Sequence, residues 1–169
     1  MIKRSIFYIL VLALISFGVY HIYQSYKPEE KFNPVIEIHY EFDKVLTIEE
    51  FNALILESKE PLNVIFFDST SINSQYLFNI ILKEIMTNNE IEKIENLVYV
   101  NLAGFDIAEY GSFRLKYGFS SVPACANMTY SEGLIVVNNI IEENNNNIFT
   151  IQIVQNWLLS NKLIKVKEE

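Results

Sequence analysis

The stretch FFDSTSINSQ, residues 66–75, joins an apolar run, VIFF (64–67), to a helical run, QYLFNIILKEIM (75–86). A strand that feeds a helix through a short turn is a common place for chemistry. The first turn of a helix offers unpaired N–H groups and a positive field. Two serines stand three apart at this turn, Ser71 and Ser74. Ser71 is placed to act as an N-cap, a role worth typically ~1 kcal/mol over alanine. A serine nucleophile would need a base within hydrogen-bond reach. The chain has two histidines, His21 and His39, and only His39 is a candidate. Nothing in the sequence places it at the turn.

Outward from the turn, the elements alternate. VIEIHYEF (35–42) alternates apolar and polar residues and predicts a strand with one wet face. TIEEFNALILESK (47–59) opens with Thr47 and Glu50, the spacing of a capping box, and continues with Phe51, Leu54 and Ile55 at helical spacing. The segment 63–68 is apolar on both faces and predicts a central strand. The helix after it should bury Leu77, Phe78, Ile81, Leu82 and Ile85, and end at Asn88-Asn89. A second central strand follows at 96–103. Residues 105–117 are amphipathic but contain Gly111-Ser112, and read as a loop and a short helix that stops at Gly118. A strand at 121–130, entered through Pro123, turns through SEG (131–133) into LIVVN. EENNNN (142–147) reads as a solvated loop. A last helix over 150–161 buries Ile151, Val154, Trp157 and Leu158.

The totals exclude several classes. The 169 residues are 50% apolar, enough for one ordinary core. The net charge is −8, and no basic patch is long enough to track phosphates, so nucleic acid is excluded as a partner. There is no Gly-rich phosphate loop and no His/Cys/carboxylate cluster with metal-ligand spacing, so neither metal nor other cofactor is expected. The single cysteine, Cys125, cannot form an internal disulfide. It sits in an apolar strand and reads as a buried, inert thiol, with a disulfide to a partner chain as the alternative. Asn127-Met128-Thr129 matches a glycosylation sequon, but inside a predicted strand the match reads as accidental.

The N-terminus predicts a membrane segment. Lys3 and Arg4 precede IFYILVLALISFGVYHIY (6–23), apolar apart from Ser16 and His21. This is just long enough to span a bilayer. Tyr20, Tyr23 and Tyr26 stand where an aromatic belt would lie. The expected organisation is an anchor at 1–26, a polar tether at 27–34 and a domain at 35–169. With the basic end held in the cytoplasm, the domain is extracytoplasmic on a single-pass anchor in the cell membrane. A signal peptide cleaved after Ser16-Phe17-Gly18 is the alternative. Without Lys3 and Arg4, 11 basic residues face 21 acidic ones, a net of −10, which repels an anionic lipid surface.

In the order β α β α β α β β α, with these motifs, residues 35–161 resemble the thioredoxin superfamily. Three features carry the resemblance: the strand ending in Phe66-Phe67 and its turn into a long helix; LKYGFSSVPA (115–124), which looks like the family's Tyr-Gly-x-x-x-x-Pro passage; and the hairpin closed by Glu132-Gly133. The resemblance implies an α/β fold, a thioredoxin-like central mixed sheet flanked by helices, here preceded by one transmembrane helix. It implies that the Val122–Pro123 peptide is cis and faces the turn. It places Ser71 and Ser74 on the family's two cysteines, with Ile72 and Asn73 between. In redox members the first thiolate attacks a disulfide and the second sulfur resolves it. Serine does neither. The buried acid that handles protons in many members falls on Ile65. The motif is therefore degenerate, with no catalytic residue and no thiol–disulfide exchange.

What the resemblance leaves is a groove for an extended peptide, lined by Phe67, Thr70, Ile72, Val122 and Pro123 and binding by backbone pairing. The expectation is an accessory or chaperone-like factor that binds a peptide or protein partner. The layout of a short anchor and a small domain resembles bacterial accessory proteins for bacteriocin production or export. Two alternatives stay open: a thiol oxidoreductase working through Cys125, and a structural subunit of a membrane complex. Protease added to spheroplasts should digest residues 27–169; a protected domain, or a mature chain starting near Val19, would overturn the anchored topology.

Overall fold

The computed structural model describes residues 38–40, 42–105 and 107–165. The expected anchor (1–26) and tether (27–34) lie outside the described residues. Among the described residues no helix is long and apolar enough to cross a membrane. The chain runs β1 (Val45–Leu46), α1 (Ile48–Glu57), β2 (Leu62–Phe67), then a long helix α2, and β3 (Leu97–Asn101). It continues with α3 (Ile107–Tyr117), β4 (Ala124–Ser131), β5 (Leu134–Glu142) and α4 (Ile151–Ser160). The long helix comprises Ile72–Tyr76, a π-helical segment Leu77–Leu82, and Lys83–Asn88. This is the element order expected from sequence.

The sheet order is β1-β3-β2-β4-β5. β2 pairs parallel with β3 and antiparallel with β4, so it lies at the centre. Its alternating side chains feed two cores. Ile65 and Phe67 face Leu77, Phe78, Ile81 and Leu82 of α2 and Val154, Trp157 and Leu158 of α4. Val64 and Phe66 face Phe51 and Ile55 of α1 and Phe113 and Tyr117 of α3. The five residues expected on the buried side of α2 are all buried. The predicted capping box starts α1: Thr47 Oγ1 accepts from Glu50 N (3.2 Å), and Glu50 Oε2 accepts from Thr47 N (2.8 Å).

The β4–β5 hairpin closes through Glu132 and Gly133, with φ of +52° and +84°. Two positive φ values in a two-residue loop make the turn whose twist suits paired strands, and glycine takes the second at no steric cost. Across this hairpin Asn127 faces Asn139 while Met128 faces Val137, so Asn138 is an extra residue on β5. Its side-chain amide donates to Asn127 Oδ1 (2.7 Å) and Thr129 Oγ1 (2.9 Å). That contact also engages the sequon asparagine, which in turn donates to Asn63 Oδ1 (2.7 Å).

Two expectations are corrected. Of the strand predicted over 35–42, residues 35–37 and 41 lie outside the described residues, and 38–40 and 42 join no strand. The short edge strand is instead Val45–Leu46, parallel to β3. The alternation is real, but packing satisfies it. Tyr40 sits 5.4 Å from Phe78 and 5.6 Å from Tyr99, and Phe42 stacks on Phe67 at 5.4 Å. Second, 142–147 is not a solvated loop throughout. Glu142 ends β5, and Glu143 is buried.

Phe78 is 1% exposed and touches four aromatic rings, those of Tyr40, Phe42, Phe67 and Tyr99. Phe78→Ala should cost about 3–5 kcal/mol, read as a fall in the urea midpoint at constant slope.

Candidate functional site

β2 delivers the chain to the turn at 68–71 with β3 on one side and β4 on the other. Phe67 lies opposite Asn101 of β3, and Phe66 opposite Ala124 of β4. Pro123 therefore stands one step past the ladder, beside the end of β2. The Val122–Pro123 peptide is cis, as the resemblance implies. The loop ahead of it is tied down by Glu142, whose Oε2 accepts from the backbone N–H groups of Ser120 (2.6 Å) and Ser121 (3.2 Å). The turn at 68–71 and the cis proline thus meet at one end of the sheet.

The turn itself is a polar knot. Asp68 Oδ1 accepts from Thr70 N (2.8 Å) and Thr70 Oγ1 (2.7 Å). Asn101 Oδ1 accepts from Ser69 N (3.2 Å) and Ala103 N (3.0 Å), while Asn101 Nδ2 donates to Ser69 Oγ (3.1 Å). Gln75 Nε2 donates to the Ser69 carbonyl (3.2 Å). Ser74 Oγ accepts from Asp68 N (3.1 Å), and Ser74 is fully buried. Ser71 occupies the N-cap position of α2, yet its side chain makes no capping bond, contrary to expectation. Its carbonyl accepts from Gln75 N (3.0 Å) and its N–H donates to the Asp68 carbonyl (2.9 Å). The two serines differ: Ser74 is a buried brace and Ser71 a half-buried hydroxyl at the helix start.

The five residues expected to line a groove divide in the same way. Phe67 is 2% exposed, stacked under Phe42, and supports the turn from within. Pro123 is buried. Thr70 and Ile72 are exposed and Val122 half-buried, so these three offer the surface. Ile65, at the position of the family's acid, is fully buried among Phe67, Leu77, Phe78 and Cys125. Asn101 and Gln75, which hold the knot together, were not singled out from sequence. An Asn ending an apolar strand beside a serine-rich turn was the only available signal.

Cys125 pairs with Ile65 on β2 and Ile141 on β5 and is fully buried. Burial pushes its thiol well above the ordinary range, so it stays protonated and out of reach. His39 donates its backbone N–H to Asn79 Oδ1 (2.8 Å). Asn79 lies eight residues beyond Ser71, roughly 12 Å along a helix, and Ser74 Oγ is engaged by Asp68 N. Among the described residues no group of three His, Cys, Asp or Glu could hold a metal ion. A pocket of 690 Å³ opens between His39, Tyr40, Phe78, Met86 and Ile91 and includes no residue of the turn.

The sheet order, the strand–turn–helix and the cis proline before the hairpin define a thioredoxin-like α/β domain. No protein-family model matches the chain, and neither does any curated protein. Solved structures similar to it include three thioredoxins. That of Trichomonas vaginalis is 19% identical, over 70% of this chain and 94% of that one. That of Plasmodium falciparum is 7% identical, over 72% and 91%. Mitochondrial thioredoxin 3 of Saccharomyces cerevisiae, in its oxidized form, is 11% identical, over 69% and 93%. Each has a TM-score of 0.40. The assignment rests on the topology above rather than on these superpositions.

The unequal roles of the serines can be measured. Ser74→Ala leaves a part-buried Asp68 N–H without its acceptor and should cost about 1–3 kcal/mol. Ser71→Ala removes no side-chain bond to the helix and should change stability by less than about 0.5 kcal/mol. Chemical denaturation of both variants checks this; equal losses would mean that Ser71 caps after all.

Proposed function

We propose that this chain is a membrane-anchored, extracytoplasmic thioredoxin-like protein without thiol–disulfide exchange, which holds an extended peptide or protein segment beside Pro123. The observation that carries the reading is Ser74. Where the resemblance expects the resolving sulfur, a fully buried hydroxyl braces the turn through Asp68 N. The carboxylate at the turn, Asp68, is engaged by Thr70 N and Oγ1, and Ser74 Oγ by Asp68 N. Strand addition beside the cis proline uses backbone groups and needs no sulfur. Exposed Ile72 and Thr70 and half-buried Val122 supply the side-chain contacts. The anchor rests on residues 1–26 and the positive charges of Lys3 and Arg4. The layout resembles that of bacteriocin accessory proteins, which supports an accessory role in production or export.

A photo-reactive amino acid at position 72, in the full chain in its native membrane, should capture a protein partner. The same group at Leu115, 92% exposed on α3, should not. Equal capture at both positions would remove the groove. Purified protein should show no insulin reduction above background. Turnover that disappears in Cys125→Ala would make Cys125 the working thiol and overturn the reading.

A further inference from the structure

Glu143 follows the last residue of β5 and continues its register beyond the ladder. Its N–H donates to the Pro123 carbonyl (2.9 Å), joining β5 directly to the cis-proline segment. Its side chain is 8% exposed, and Oε2 is the one buried side-chain polar atom without a hydrogen-bond partner among the described residues. The next residues fold back on themselves: Asn144 and Asn147 exchange backbone hydrogen bonds (3.1 and 3.0 Å), and Thr150 then caps α4. The carboxyl therefore sits at a joint between the proline segment, the Asn-rich loop and the start of α4.

We propose that Glu143 is a pH-sensitive latch: neutral, it lies closed in this joint, and ionised, it draws the 143–149 segment open. A carboxyl group with an orphaned, dry oxygen is tolerated when protonated and costly when charged. Burial raises its proton affinity, against a weaker opposing hydrogen bond from the Phe149 backbone. Among the described residues no charged group counters it. On β5, Glu142 turns its carboxylate to Ser120 and Ser121; the hydrogen-bond partners of Glu143, the Pro123 carbonyl and the Phe149 backbone, are neutral. Because the raised value belongs to the folded state, protonation favours the closed fold below 4.5, the ordinary value. That contribution is lost as pH climbs through the raised value.

The test compares the full chain with Glu143→Gln, whose amide imitates the neutral acid. Hydrogen exchange of the peptide spanning 142–149, corrected for the intrinsic tenfold acceleration per pH unit, should lose protection in the parent between pH 4.5 and 8. The variant should keep it. The emission of Trp157, bonded through Nε1 to Asn139 Oδ1 (2.8 Å), should change over the same range only in the parent. Identical profiles overturn the latch. If the variant does not fold, carbon NMR of the Glu143 carboxyl in the parent decides: a midpoint above 4.5 supports it, and one at or below 4.5 overturns it.

Discussion

Val64, Ile65, Phe66 and Phe67 are 0–2% exposed, although successive residues of a strand point to opposite faces. Such a run can exist only if both faces of the sheet are covered, and this requirement calls up the rest of the fold. α1 and α3 cover one side, α2 and α4 the other. Each large side chain buried this way contributes roughly 1.5–3 kcal/mol. β3 and β4 then have to flank β2, because an unpaired backbone inside a two-sided core would carry orphaned N–H and C=O groups. The turn at 68–71 inherits its position from that arrangement. It stands at the end of the central strand, with Pro123 brought beside it by the register of β4.

At this turn, polar chemistry has been turned to structure. Asp68, Ser69, Thr70, Ser74, Gln75 and Asn101 satisfy one another over a few ångströms. Networks of this kind favour a single backbone conformation, since each broken member leaves a neighbour unsatisfied. Tyr40 and Tyr99 do the same under α2, hydroxyl to hydroxyl at 2.7 Å. Burial, above all, raises the pKa of both, so they act as neutral cross-braces.

The sequence was informative wherever burial alone decides the outcome. VIFF announced a two-faced strand, and Phe78, Ile81 and Ile85 announced the inner side of α2. It misled where burial and hydrogen bonding part company. Tyr40 and Phe42 alternate like strand residues because one side of their segment is buried, but aromatic packing buries it and no ladder forms. Glu143 reads as solvated among asparagines, and only the register opposite Pro123 turns it inward. Phe67 looked like groove surface because it adjoins the turn; strand alternation sends its ring into the core. Ser71 has the right residue type and place for a cap, yet the hydroxyl's bond depends on a rotamer that spacing does not specify. Asn101 acts across 32 residues of chain, beyond any local pattern.

The extra residue at Asn138 has a consequence for how these molecules behave in a crowd. β5 is nine residues long and forms one border of the sheet, with Leu134 and Val136 exposed. A long open border is where identical chains stack into aggregates. The bulge bends that border and breaks its even spacing of donors and acceptors halfway along. Among the described residues the opposite border is two residues long. Packed densely at a surface, neighbouring copies would find no straight seam on which to fuse. The bulge thus serves colloidal stability without altering either core.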